Sequence, residues 1–172
     1  MIKDTIEYQL IKAHYADRTA ERSGVPLINH IDEGLIVLNA ISATENARRA
    51  FCIHPLIQKD TDLYQNYLMI AESVSSSVVM LAMEYRNIAN QWLSDKARSP
   101  VPPILSPLYE VNDMLIADKV QNRKDFLRYH LATHERAEDL SIYFTRWLEA
   151  LGISSETYNI LCKRIEDERT NS

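Results

Sequence analysis

Glycine is scarce in this chain, at 3 of 172 residues against a usual share of about 7%. With so few residues free to adopt left-handed backbone, tight hairpins and glycine-rich phosphate loops are excluded as main features. Cysteine is also sparse. Cys52 and Cys162 fall on separate predicted helices at a spacing that fits no metal motif, and they read as small buried hydrophobes in a reducing cytoplasm. No apolar run approaches the roughly 18 residues that a membrane span needs. The opening stretch from Met1 to Glu7 lacks the apolar segment of a secretion signal. The expectation is a cytoplasmic protein with no membrane partner. A positive excess is missing too: 19 Lys and Arg stand against 24 Asp and Glu, a net charge of −5. Broad binding to a nucleic-acid backbone is therefore not expected.

What is present is ordinary for a folded domain: 46% hydrophobic and 25% charged residues over 172 positions, enough for one domain with a core of its own. The chain reads as helices from end to end. Ile2, Ile6, Leu10 and His14 recur at steps of four and predict a helix over 2–17 with that stripe inward. Ser23-Gly24-Val25-Pro26 breaks it, and a second helix follows over 28–41 with Ile31, Leu35 and Leu38 on one face. Ser42-Ala-Thr-Glu45 has the form of a capping box, so a third helix is expected from about Ala43 to Pro55. Lys59 to Asp62 reads as a loop that caps the next helix, and 63–97 is largely helical with a break at Ser75–Ser77. Four of the six prolines lie in 100–107, a connecting segment. Helices are expected over 107–131, 135–151 (ended by Gly152) and 155–168. The prediction is an all-α fold, a single compact bundle of about seven helices over 1–172.

Three apolar faces are interrupted by polar side chains. On the helix over 107–131 the inward stripe runs Leu108, Val111, Leu115, Asp118, Asn122, Phe126, Tyr129. A carboxylate on such a stripe is costly unless it is paired or binds a metal, and Asn122, one turn on, can hydrogen-bond it. His30 opens the second helix, and Gly34 one turn later leaves room for a ligand or another helix. His54 sits between Phe51 and Ile57 on the third. Taken singly, each fits a packed, hydrogen-bonded core residue. Taken together, two imidazoles and a carboxylate are the donors that Mn²⁺, Fe²⁺ or Zn²⁺ accept, and helices of all-α folds bring such donors together.

The order of these residues resembles the HD-type hydrolase domain of the RelA/SpoT family, which includes the short metazoan-type alarmone hydrolases; small phage-encoded HD-like proteins look similar. The resemblance rests on Lys12-Ala-His14, Arg22-Ser-Gly-Val-Pro26 and Asn29-His30, then Cys52-Ile-His54-Pro55, then Ala117-Asp118-Lys119-Val-Gln-Asn122, landmarks that span 12–122. The predicted helices over 135–168 would complete the HD-like bundle. The resemblance implies a metal-dependent phosphohydrolase that acts on a nucleotide phosphate or pyrophosphate, with a guanosine alarmone as the family's substrate. It places His30, His54 and Asp118 at metal positions, with Mn²⁺ expected and Fe²⁺ or Zn²⁺ as alternatives. Arg22 and Ser23 match the nucleotide-contacting turn, and Asn122 matches a sugar contact. Arg22, Lys59 or Lys119 would neutralise phosphate charge.

Two departures stand out. Pro55 replaces the aspartate of the family's His-Asp pair, and Gln58-Lys59 replaces the acidic pair that orients water, which leaves Asp60 as the expected general base. The second reading is a nucleotide-binding or protein-interacting module without chemistry. The partner expected on either reading is a nucleotide-type small molecule, and oligomeric state is open. His130 and His134, four apart, lack the intervening glutamate and the third ligand of a zinc protease and read as solvated. Arg48-Arg49 and the Glu135–Asp139 run read as solvated helix faces.

Overall fold

The computed structural model describes residues 1–21 and 23–170, and they form an all-α fold. The helices are α1 (Ile6–Tyr15), α2 (Ile28–Ala40), α3 (Glu45–Ile53), α4 (Asp60–Ser73), α5 (Ser76–Gln91), α6 (Tyr109–Asp125), α7 (Ala137–Ala150) and α8 (Ser155–Thr170). Short 3-10 turns occupy Ile2–Asp4, His54–Leu56 and Ser94–Lys96, and α6 runs into a π-helical turn over Phe126–His130. The described residues form no strand, only an isolated bridge between Thr19 and Pro26 that closes the loop before α2. Among the described residues, no helix is long and apolar enough to cross a membrane.

α6 is the axis of the bundle. It packs against α2, α3, α5, α7 and α8, so it is buried on nearly every side. Val111, Met114, Leu115, Ala117 and Val120 supply its apolar contacts. Asp118, Lys119, Gln121 and Lys124 are buried on the same helix. Four buried polar side chains on one helix need partners from the helices around it, and those partners build the site described below.

Local chemistry corrects several expected boundaries. The first helix does not run from residue 2. Thr5 accepts a hydrogen bond from the Tyr8 amide and caps α1, and the 3-10 turn before it breaks the stripe. The buried side of α1 is Glu7, Tyr8 and Ile11, while Ile6 is exposed. Glu7 is drawn inward by Arg49 of α3 at 2.8 Å, and the Tyr8 hydroxyl donates to Asp32 at 2.8 Å. Arg49 is thus an ion-pair partner instead of a solvated residue. Ser42, at φ +58°, does not cap α3; Thr44 does, accepting from the Ala47 amide at 3.2 Å. α4 carries no side-chain cap, and Ile70 is its one buried residue.

At Gly34 the Phe51 side chain of α3 packs directly against α2. A Cβ there would lie 2.2 Å from Phe51 Cε1, so another helix uses the space that this glycine leaves. Phe51 is fully buried and its ring touches both His30 and His54. Gly34→Ala is expected to destabilise the protein by about 1–3 kcal/mol through overpacking, despite alanine's better helix propensity. Thermal unfolding would measure this, and adding Phe51→Leu should recover part of the loss.

Candidate metal centre

His30 lies in the first turn of α2, directly after the bridged loop. His54 begins the 3-10 turn at the end of α3. Pro55 follows it and has no N–H to continue the α-helical ladder, so the chain bends and leaves His54 only 4% exposed. Asp118 comes from the middle of α6. Helix packing brings the three together, with one ligand atom from each lying within 4.8 Å of the others. His30 Nε2 is 3.3 Å from His54 Nε2 and 3.6 Å from Asp118 Oδ1. A tetrahedral ion with bonds of about 2.0–2.2 Å sets its ligands about 3.4 Å apart.

The hydrogen bonds behind the rings define the chemistry. His54 Nδ1 donates to the Phe51 carbonyl at 2.6 Å. His30 Nδ1 donates to Gln121 Oε1 at 2.8 Å. In the neutral rings the proton therefore sits on Nδ1 in both, and both Nε2 atoms present lone pairs. Two facing lone pairs with a carboxylate oxygen beside them repel one another unless a cation is shared. This donor set fits a divalent metal with open positions.

Charge is fixed as well as geometry. Burial, with His30 adding to it, pushes the His54 imidazole down to about 3, so it is neutral at pH 7. Burial would raise the Asp118 carboxyl, but the Lys119 ammonium and the two imidazoles outweigh it and hold it down at about 2. Lys119 Nζ donates to Asp118 Oδ2 at 2.6 Å. Burial works against the Lys119 charge and the Asp118 carboxylate overrides it, so the ammonium is more firmly protonated than usual. Its Nζ lies 5.4 Å from the Tyr143 ring and 5.2 Å from the Trp147 ring. Asn122 donates to Asp118 Oδ1 at 2.8 Å, the contact expected from its place one turn along. Burial, together with the nearby Asp118 carboxylate, raises the pKa of the buried Tyr85 hydroxyl.

Two clefts, of about 450 and 420 Å³, meet at this cluster. Tyr15, His30 and Asp118 line both. The first cleft also holds Ser23, Asn122, Phe126 and Phe144. The second holds His14, Arg18, Pro55, Lys59, Asp62 and Lys119. Ser23 accepts from the Val25 amide and shapes its turn. Arg22 lies outside the described residues. Lys59 is exposed at the cleft edge. Asp60 lines neither cleft: its side chain is 94% exposed and is paired with Arg86. Lys119 is committed to Asp118, so its charge does not reach out to a phosphate unaided.

Sequence reasoning missed Gln121, Glu33, Arg18 and Asp62. Gln121 was findable as the residue three positions after Asp118 on the same buried side of α6. Glu33 was findable as an acid three residues after His30 on one helix face. Asp62 was findable too, since two positions along a helix turn a side chain by about 200°, which separates it from Asp60. No family model, curated protein or solved structure matches the chain.

Proposed function

We propose that the chain is an HD-type, metal-dependent phosphohydrolase acting on a phosphate or pyrophosphate group of a nucleotide. The meeting of His30 Nε2, His54 Nε2 and Asp118 Oδ1, with no proton between the two imidazoles in their neutral form, carries this reading. The order of motifs along 12–122 supports the same conclusion and favours a guanosine alarmone as substrate class, with Mn²⁺ as the ion and Fe²⁺ or Zn²⁺ as alternatives. When bound, the ion supplies Lewis acidity toward water and a phosphoryl oxygen. Lys119 keeps Asp118 ionised and in place. Arg18 and Lys59 bring positive charge to the second cleft, where phosphate oxygens would lie. Asp62 shares that cleft and is the carboxylate best placed to take a proton from an attacking water. Ser23 and Asn122 face the first cleft, where a nucleoside would lie.

The second reading, a nucleotide-binding or interaction module without chemistry, is favoured by Pro55 and by the outward turn of Asp60. Elemental analysis of purified protein, followed by assay against guanosine tetraphosphate and ordinary nucleoside phosphates, separates the two. About one Mn, Fe or Zn per chain with phosphate release supports the enzyme. A metal-free protein that binds nucleotide without turnover supports the module.

Pro55 lines the second cleft directly after His54. Pro55→Asp adds an anionic oxygen donor there and is expected to tighten Mn²⁺ binding about tenfold or more, measured by calorimetric titration of both forms. Unchanged affinity would assign position 55 to shaping the turn alone.

A further inference from the structure

The Gln121 side chain is held from three directions. Its Nε2 donates to Glu33 Oε2 at 3.0 Å and to Asp125 Oδ2 at 2.7 Å, which uses both amide protons. Its Oε1 faces His30 Nδ1 at 2.8 Å. Turning the amide over would set its oxygen against two carboxylates, so the orientation has one stable solution. Glu33 is buried and is balanced by Lys124 at 2.9 Å and by Arg169 of α8 at 2.7 Å. Lys124 also pairs with Asp125. The acids that grip the amide are therefore themselves fixed by cations from α6 and α8.

We propose that Gln121, clamped by Glu33 and Asp125, is the positioning residue of the site: its fixed amide oxygen sets the tautomer of His30 and so presents the Nε2 lone pair to His54 and Asp118. A ring nitrogen facing a carbonyl oxygen must carry the proton, and the opposite nitrogen is then the free donor. Metal-binding histidines characteristically give their second N–H to such an acceptor, and loss of that partner lowers metal affinity by about 10–100-fold. The consequence for metal rests on the function proposed above. The tautomer does not.

The test is a long-range proton–nitrogen correlation spectrum of metal-free, ¹⁵N-labelled protein at pH 7.5, for wild type and Gln121→Met. The wild type is expected to show His30 protonated at Nδ1 and unprotonated at Nε2. In Gln121→Met the Nε2-protonated form of His30 is expected to become the major one, while His54, anchored on the Phe51 carbonyl, is unchanged. Calorimetric titration with Zn²⁺ and Mn²⁺ is expected to show a Kd about 10–100-fold weaker in the variant. A wild-type His30 protonated at Nε2, or a His30 tautomer unmoved by Gln121→Met, would overturn the proposal. The wild-type spectrum decides the matter should the variant not fold. If the tautomers behave as expected but neither protein binds Zn²⁺ or Mn²⁺, the positioning role stands and the metal-dependent function falls.

Discussion

Asp118→Ala is expected to abolish metal binding and also to cost about 3–5 kcal/mol of stability in metal-free protein. The two effects have different causes. The metal effect follows from removing the one anionic member of the His30, His54 and Asp118 cluster. The stability effect follows from Lys119, whose Nζ is buried against Tyr143 and Trp147 with Asp118 as its counter-charge. A buried cation stripped of its partner is far worse than no charge at all. The double variant Asp118→Ala, Lys119→Met removes both charges and is expected to regain most of the lost stability without regaining metal. Denaturant unfolding and elemental analysis of the three proteins would separate the roles. A single variant as stable as wild type would show that the ion pair contributes nothing to the fold.

Acid is expected to destabilise metal-free protein in two overlapping stages. His54 has a folded-state pKa of about 3 because it is buried beside His30, against about 6.5 in an unfolded chain. Between those values the unfolded state binds a proton that the folded state refuses, so stability rises with pH there and is lost as pH falls from about 6.5 toward 3. The size is on the order of 5 kcal/mol. Asp118 acts lower. Its carboxyl is held at about 2 against the opposing pull of burial, below its unfolded value of about 3.9. Its contribution is fully present above about pH 3.9 and is lost as pH falls through about 2. The groups share one contact, so the losses do not add in full. Urea unfolding at pH 7.5, 5.5 and 4 in the presence of a chelator would trace the first stage. Saturating Zn²⁺ should move it to lower pH, because the ligands must stay deprotonated to bind. A flat profile from pH 7.5 to 4 would mean that His54 is not held neutral.

The site was legible in the sequence wherever a polar side chain interrupted an apolar face. His30, His54 and Asp118 were visible in that way, and the structure brings them within 4.8 Å of one another. Long periodic segments were legible as helices for the same reason, as with Ile31, Leu35 and Leu38 on α2. Periodicity failed where a charged residue was buried with a partner from elsewhere in the chain. Glu7 is inside because Arg49 meets it from α3, and that contact fixes the phase of α1 against the apparent apolar stripe. The partner of Gln121 and Lys124 was invisible on the same grounds: it is Glu33 on α2, about 90 positions away along the chain. Asp60 and Asp62 differ only in the direction that the first turn of α4 gives them, which a pattern of residue types does not resolve.

The distribution of polar partners over α6 also bears on how such a chain can change through descent. Asp118, Lys119, Gln121, Asn122 and Lys124 lie within seven consecutive residues, and each is bonded to a neighbour in that run, to another helix, or to both. A replacement at one of them breaks a contact that a second residue must restore, so acceptable routes through this window pass by paired changes. Beyond Asp62, α4, which buries Ile70 alone, carries no such constraint. Divergence between descendants of this chain should accumulate first on α4 past that residue, while the middle of α6 changes rarely and in correlated pairs.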